Sequence, residues 1–173
     1  MPRGDDRRLF WYAVALVVSL DMVTKALAVA RLSPFPLPVV GDWLTFQLVY
    51  NPGAAFGIHV GPHSRWVFTG LALAALIVLG AMVRQTEPSQ RVRLLALGLV
   101  VGGAVGNLAD RLRHAQGVVD FIDFGVGAYR WPTFNLADIA VTCGAVTLAY
   151  VLWTEGRDAV VEPTAGDAAE ASS

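Results

Sequence analysis

The chain has 173 residues, of which 55% are hydrophobic and 16% charged, and its mean hydropathy is +0.53. This composition is too apolar for a soluble domain, so it predicts a single domain folded in a bilayer. The net charge of −1 leaves no basic surplus for nucleic acid, and a single cysteine, Cys143, excludes an intrachain disulfide or a cysteine-rich metal site. We interpret Cys143, which lies in an apolar run, as a small core residue.

Four apolar stretches have the length that crosses ~30 Å of hydrocarbon at ~1.5 Å per residue. They are residues 9–30, 66–83, 92–108 and 136–153. Four spans place both chain ends on one side of the membrane. Arginines precede the first span and crowd the link between the second and third, so the positive-inside rule assigns that side to the cytoplasm. These arginines are Arg3, Arg7, Arg8, Arg84, Arg91 and Arg93.

The first span follows basic residues and contains Ala26-Leu27-Ala28, which resembles the cleavage site of a signal peptide. We reject that interpretation because the apolar run is too long and contains Asp21 and Lys25. These two side chains lie one helical turn apart on one face, where they can pair. Ionisable groups inside a span indicate a functional site, although a structural ion pair explains them equally well.

The first outer loop, residues 31–65, begins with alternating prolines that exclude a helix. Residues 43–50 then alternate with period 2, which predicts a strand with Leu44, Phe46, Leu48 and Tyr50 on one face. Asn51-Pro52-Gly53 ends this strand.

The second outer loop, residues 111–135, contains another extended run at residues 118–124. The two runs can pair into a small sheet, which must lie on the outer membrane surface because an open sheet edge is not stable in lipid. Residues 1–154 therefore form the predicted membrane domain. Residues 155–173, rich in Ala, Glu, Asp and Ser, are predicted to be a disordered cytoplasmic tail.

Polar residues gather where the third span ends and the fourth begins. Asn107, Asp110 and Arg111 share one helical face at positions i, i+3 and i+4, a pattern that more often means helix packing than chemistry. Asn135 suits the N-cap of the fourth span, and Asp138 in its first turn is favoured by the helix dipole. Capping alone explains both residues, until the carboxylate of the preceding loop is considered.

That loop brings Asp120 to the depth expected for Asp138. Two close carboxylates cannot both ionise easily, so one keeps a proton while the other accepts a proton from water. This is the arrangement of an aspartic protease, and it requires no metal. Asp110 and Asp123 are rival members, but Asp110 has a structural role open to it, and Asp123 faces the other side of a strand from Asp120.

Other hydrolytic chemistries fit the sequence less well. A zinc hydrolase needs clustered ligands, whereas the only histidines, His59, His63 and His114, are scattered through outer loops. A serine–lysine pair needs Lys25, the only lysine, but Ser19 lies on a different side of the same predicted helix.

Five sequence blocks resemble the lipoprotein signal peptidases (signal peptidase II), a family of bacterial membrane aspartic proteases. The blocks are Asp21 with Thr24-Lys25, Asn51-Pro52-Gly53-Ala54-Ala55-Phe56-Gly57, Gly106-Asn107-Leu108-Ala109-Asp110-Arg111, Val118-Val119-Asp120-Phe121 and Phe134-Asn135-Leu136-Ala137-Asp138. Each block alone is modest, but five in this order with the predicted topology are highly specific. Ala109 and the long acidic tail depart from the commoner pattern.

The resemblance implies four transmembrane helices with a small extracytoplasmic β-cradle, and a catalytic dyad of Asp120 and Asp138. It implies supporting or substrate-binding roles for Asp21, Lys25, Asn51, Gly53, Asn107, Asp110, Arg111 and Asn135. The implied substrate is a diacylglyceryl-modified prolipoprotein, cut just before its lipidated cysteine without a metal or other cofactor. We expect a monomer in the bacterial plasma (inner) membrane, with cytoplasmic termini and an active site near the outer face.

The glycine-containing segment 51–57 is a candidate lid, although a simple turn explains it as well. A small ion- or proton-translocating protein is the alternative function, since ionisable groups in spans also mark ion paths. The predicted inner halves of the spans are almost wholly apolar, which disfavours conduction. A scaffold that binds partners through the glycine-rich third span is a third possibility, and it would tolerate loss of the carboxylates.

Overall fold

The computed structural model describes residues 7–53 and 61–161, with side chains described as far as residue 157. Within these ranges the chain forms four long helices and a small antiparallel sheet, as the sequence predicts. The helices are α1 (Arg7–Arg31), α2 (Ser64–Gln85), α3 (Arg91–Arg113) and α4 (Leu136–Val161), with a 3-10 turn at Gly61–His63 before α2. All four are long and apolar enough to cross a membrane.

Helix α3 is the centre of the bundle and packs against the other three helices. Its glycines allow close approach, as the small residues of the third span predict. A Cβ added at Gly102 would come within 2.8 Å of the Val17 Cβ on α1, and one at Gly103 would collide with the backbone of Ala137 on α4. The bundle therefore draws the polar stretches of α1, α3 and α4 together.

The sheet is ordered β1-β2-β3-β4, from strands at Leu37–Val40, Leu44–Asn51, Val118–Val126 and Tyr129–Arg130. The two predicted strands are β2 and β3. The short strands β1 and β4 were not predicted. Prolines in and before β1 argue against a strand in the sequence, although an edge strand tolerates them, and β4 has only two residues, too few to show a period-2 pattern. A further bridge joins Ile122 to Phe134, which ties β3 to the approach to α4.

The register between β2 and β3 changes partway along. Phe46 lies opposite Ile122, but Val49 lies opposite Asp120, so β2 carries one extra residue between them. This bulge means that Tyr50 does not share the face of Leu44 and Phe46, and the predicted four-residue face is wrong beyond the bulge. The shift instead places Asn51 on the face of the sheet that carries Asp120.

The predicted start of the C-terminal tail also needs correction. Helix α4 continues to Val161, so residues 155–161 are helical and do not belong to a disordered tail. Glu155 contributes to this extension because it accepts hydrogen bonds from Gln90 Nε2 and Arg93 Nη1, each at 3.1 Å. Residues 162–173 of the predicted tail, and residues 54–57 of the predicted lid, lie outside the described residues.

Candidate active site

Asp120 is a buried carboxylate on β3, only 2% exposed. Its Oδ1 accepts a hydrogen bond from Asn135 Nδ2 at 2.7 Å, and its Oδ2 accepts one from Asn51 Nδ2 at 3.0 Å. Burial raises the pKa of Asp120 to about 7, and the nearby charge of Asp138 acts in the same direction. The two amide donors and Lys25 lower this pKa but do not offset the burial.

Asp138 lies in the first turn of α4 and is only half-buried. Its Oδ2 accepts a hydrogen bond from the Asn135 backbone N–H at 3.1 Å, while its own backbone N–H donates to Asn135 Oδ1 at 3.0 Å. This reciprocal pair is a capping box, so the predicted capping role of both residues is present. Its Oδ1 also accepts a hydrogen bond from Asn107 Nδ2 at 2.8 Å.

Lys25 organises the groups behind the two carboxylates. Its ammonium lies 2.7 Å from Asp21 Oδ2 and 2.9 Å from Asp110 Oδ2, and it donates to Asn107 Oδ1 at 3.0 Å. These three contacts match the three donors of an ammonium group. Because Asn107 Oδ1 also accepts a hydrogen bond from Asn135 Nδ2, the amide of Asn107 is oriented with its Nδ2 toward Asp138.

The two carboxylates that pair with Lys25 also hold the backbone next to the site. Asp21 Oδ1 accepts a hydrogen bond from the Ala137 N–H at 3.0 Å, one residue before Asp138. Asp110 Oδ2 accepts one from the Val119 N–H at 3.1 Å, one residue before Asp120. The ion pair of α1 and α3 therefore fixes the start of α4 relative to β3.

Arg111 connects the site to the end of β2. Its Nη1 donates to the Asn107 carbonyl at 3.2 Å, and its Nη2 donates to the Gly53 carbonyl at 3.1 Å. The Gly53 N–H in turn donates to Asn51 Oδ1 at 3.0 Å. Asn51 and Gly53, the described part of the predicted lid, are therefore tied to both α3 and Asp120.

Asp123, one of the two rival carboxylates, lies outside this network. It pairs with Arg130 on β4, with Nη2 and Oδ2 2.6 Å apart, as a residue on the opposite face of β3 from Asp120 can do. Arg130 also donates to the Asp42 carbonyl, across the sheet. Sequence reasoning missed Arg130 because its partner is set by the β3–β4 turn, which was not predicted.

Asp120 and Asp138 line one pocket of about 330 Å³. Three more predicted residues, Asn51, Asn107 and Arg111, also line it. The other predicted residues, Asp21, Lys25, Gly53, Asp110 and Asn135, do not line this pocket but contact its residues or their neighbours through the hydrogen bonds and ion pairs described above. The remaining walls were not predicted and comprise Val118, Trp131, Pro132, Thr133, Phe134, Ile139, Thr142 and Cys143. The residues from α4 follow Asp138 at helical spacing, a signal that could have been read from the sequence.

Cys143 is one of these pocket residues and is exposed, so its interpretation as a core residue is wrong. It lies on the side of α4 that faces the pocket, whereas Gly144 faces α3. Among the described residues, no three His, Cys, Asp or Glu side chains are grouped so that they could hold a metal ion. His59 lies outside the described residues.

The fold and the site together define a multi-pass helical membrane protein with a carboxylate-lined pocket. Two solved bacterial membrane enzymes have a similar structure. One, determined at 2.3 Å, superposes with a TM-score of 0.79 at 27% identity over 90% of this chain and 93% of its own. Another, determined at 1.9 Å, has a TM-score of 0.73 at 29% identity over 83% and 91% of the two chains.

Sequence comparison defines the family. Residues 13–154 match the family model described as signal peptidase (SPase) II. The chain is 41% identical to the lipoprotein signal peptidases of Burkholderia mallei (strain SAVP1), over 143 residues, and Paraburkholderia phymatum, over 144 residues. Each match covers 81% of this chain and 85% of the relative. The chain belongs to the signal peptidase II family and is a membrane protease.

Proposed function

We propose that this chain is an aspartic endopeptidase that removes signal peptides from diacylglyceryl-modified prolipoproteins, cutting just before the lipidated cysteine. Family membership supports the substrate class. The observation that carries the aspartic mechanism is the presence of Asp120 and Asp138 on the wall of one pocket, each held by amide side chains. Asn135 contacts both carboxylates and sets their relative position.

The two carboxylates differ in environment, which suggests a division of roles. Asp120 is buried and its pKa is raised to about 7, so it holds a proton near neutral pH. Asp138 is only half-buried and lies in the first turn of α4, where the helix dipole favours a negative charge, which suits an ionised base. The ionised member activates water, and the protonated member binds the oxygen of the scissile carbonyl.

The reaction then proceeds in two steps. In the first, Asp138 removes a proton from water as the water oxygen attacks the scissile carbonyl carbon, and the Asp120 proton passes to the carbonyl oxygen. In the second, the carbon–nitrogen bond breaks, the leaving nitrogen takes the proton held by Asp138, and Asp120 recovers its proton from the tetrahedral hydroxyl. One water is consumed and both carboxylates return to their starting state.

The apolar part of the substrate enters from the bilayer in this proposal. Ile139 and Cys143 form part of an apolar wall that continues along α4 away from Asp138, where a signal helix can lie. The basic link between α2 and α3 lies at the opposite end of the bundle from the pocket, which supports cytoplasmic termini and an active site near the outer face. We propose a monomer, since one copy supplies every group that the proposed mechanism uses.

The described part of the predicted lid, residues 51–53, lies beside Asp120. It is anchored, because Asn51 contacts Asp120 and the Gly53 carbonyl accepts a hydrogen bond from Arg111.

The test is cleavage of a diacylated prolipoprotein by purified Asp120→Asn and Asp138→Asn variants. Asp123→Asn is the matched control, because it makes the same change on the same strand as Asp120 but outside the pocket. We expect each dyad variant to lose about a hundredfold to ten-thousandfold in kcat, since general acid–base groups contribute ~10²–10⁴-fold each. Near-normal turnover by either variant would contradict the proposal.

A further inference from the structure

Gly117 lies in the turn between α3 and β3 and belongs to none of the predicted motifs. It is buried, its N–H donates to the His114 carbonyl at 3.1 Å, and its φ is +107°. A side chain at such a φ is strained, so the turn itself favours glycine. A second constraint at Gly117 concerns the end of β2.

The backbone of β2 passes directly over Gly117. A Cβ at this position would be 2.6 Å from the Asn51 carbonyl carbon and 2.7 Å from the Pro52 Cα, and it would also collide with the Asn51 carbonyl oxygen. Real Cβ atoms essentially never come within 3.0 Å of such atoms. Because the crowded atoms are backbone, no side-chain rotation relieves the collision, and residues 51–52 must move.

The position of this backbone matters because of the Asn51 side chain. Asn51 lies opposite Val118 in the last pair of the β2–β3 ladder, and it shares a face of the sheet with Asp120. Its Nδ2 donates to Asp120 Oδ2 at 3.0 Å and its Oδ1 accepts from the Gly53 N–H. A hydrogen bond of this kind is limited to ~2.7–3.2 Å, so a backbone shift of well under 1 Å is enough to weaken it.

We infer that Gly117 is a positioning residue for the catalytic dyad. Its lack of a side chain allows the Asn51–Pro52 backbone to lie against the start of β3, and this contact holds the Asn51 amide on Asp120. Gly117 contacts neither substrate nor water in this role, and it acts only through Asn51. The inference rests on the proposed function of Asp120.

The experiment compares Gly117→Ala, Asn51→Ala and the double variant in the full chain, with kcat and KM measured on a diacylated prolipoprotein. We expect Gly117→Ala to lower kcat about tenfold to a hundredfold, the loss typical of one hydrogen bond to a charged or catalytic group. KM should change less than about threefold. In the Asn51→Ala background, Gly117→Ala should add less than about a twofold loss, because both changes remove the same contact.

The pH profile separates positioning from general destabilisation. The Asn51 amide lowers the pKa of Asp120, so loss of this contact should move the alkaline limb of kcat/KM to higher pH in both single variants. Gly41→Ala is the control, since Gly41 also has a positive φ of +46° but its Cβ would meet no described atom within 4 Å. It should keep the native rate and the native pH profile.

Three results would overturn the inference. The first is full activity of Asn51→Ala, and the second is independent, multiplying losses in the double variant. The third is a Gly117→Ala chain that fails to fold while Asn51→Ala folds, which would assign Gly117 to the stability of the turn. Failure of the proposed function is a different outcome, because it requires an active Asp120→Asn variant whatever Gly117→Ala does.

Discussion

Both halves of the helix bundle contain fully buried side chains, but the two halves are held together differently. In the half away from the pocket, Phe10, Leu94 and Leu97 form an apolar cluster, and both leucines are fully buried. In the half next to the pocket, Asp21 and Asn135 are also fully buried, and each makes directional contacts. Apolar packing tolerates small shifts, whereas a buried polar group needs its partner at a fixed distance and angle.

We therefore expect the half away from the pocket to determine mainly the stability of the protein, and the half next to the pocket to determine mainly the geometry of the catalytic groups. We call these regions the apolar half and the polar half. Substitutions in the apolar half should lower stability without changing the pH dependence of cleavage. Substitutions in the polar half should change catalysis more than stability, except where they leave a buried charge without a partner.

Lys25→Met is that exception and should have the largest effect. It would leave Asp21 and Asp110 buried without their shared cation, and breaking a buried ion pair in this way costs ~3–5 kcal/mol. We expect a large fall in the thermal midpoint in detergent and no measurable cleavage. Arg130→Met is the matched control because its pair with Asp123 is more exposed. Equal losses from the two substitutions would contradict the contrast drawn here.

Asn107→Ala should come next. It removes the donor at 2.8 Å from Asp138 Oδ1, and a hydrogen bond to a charged group contributes ~1.5–3 kcal/mol, or about tenfold to a hundredfold in kcat. Gln47→Ala is a suitable control, since Gln47 makes only a 3.4 Å contact with Thr133 among the described hydrogen bonds. A loss in stability with unchanged kcat would show that Asn107 serves packing alone.

The pH dependence should be the third effect in size. The pKa of Asp120 rises from 3.8 to about 7 on folding, so the folded chain holds a proton that the unfolded chain releases. The stabilising contribution of this protonated carboxyl is present below pH 3.8 and is lost as pH rises through about 7. Because the proposed mechanism needs this proton, kcat/KM should also fall as pH rises above about 7.

Thermal midpoints and kcat/KM measured across this pH range test that prediction. Asp120→Asn should remove the part of the stability change that occurs between pH 3.8 and about 7, because an amide does not titrate. An unchanged pH dependence of stability in Asp120→Asn would contradict the assignment of the raised pKa to Asp120.

Glu155→Ala should have the smallest effect. Glu155 joins α4 to Arg93 at 3.1 Å at the end of the bundle away from the pocket, but its side chain is 40% exposed. Exposed ion pairs contribute ~0–1 kcal/mol, so the thermal midpoint should fall slightly while kcat, KM and the pH profile stay unchanged. A change in the pH profile would show that the two halves are coupled.

The sequence was sufficient for features that depend on local pattern. The four spans follow from hydropathy, and the positions of Asn135 and Asp138 follow from capping at the start of α4. Asp120 was predicted to lie near Asp138 because the loop that carries it connects the outer ends of two spans. That loop is short, so Asp120 must lie near the outer membrane surface. Asn107, Asp110 and Arg111 were recognisable from their shared helical face.

Features that depend on distant segments could not be found in this way. The bulge in β2 changes which residues face Asp120, and no periodicity in one strand reveals an extra residue relative to its partner. The crowding of Gly117 by Asn51 arises from the same register. Cys143 was misread because hydropathy alone does not separate a helix face that packs from one that lines a pocket.

The central claim is that Asp120 and Asp138 act as one catalytic unit. The most direct measurement is kcat for Asp120→Asn, Asp138→Asn and the double variant on a diacylated prolipoprotein, with folding of each variant checked by its thermal midpoint. Residues that act as a unit are not additive, so the double variant should be no slower than the slower single variant. Losses that multiply in the double variant, or substantial turnover in either folded single variant, would contradict the claim.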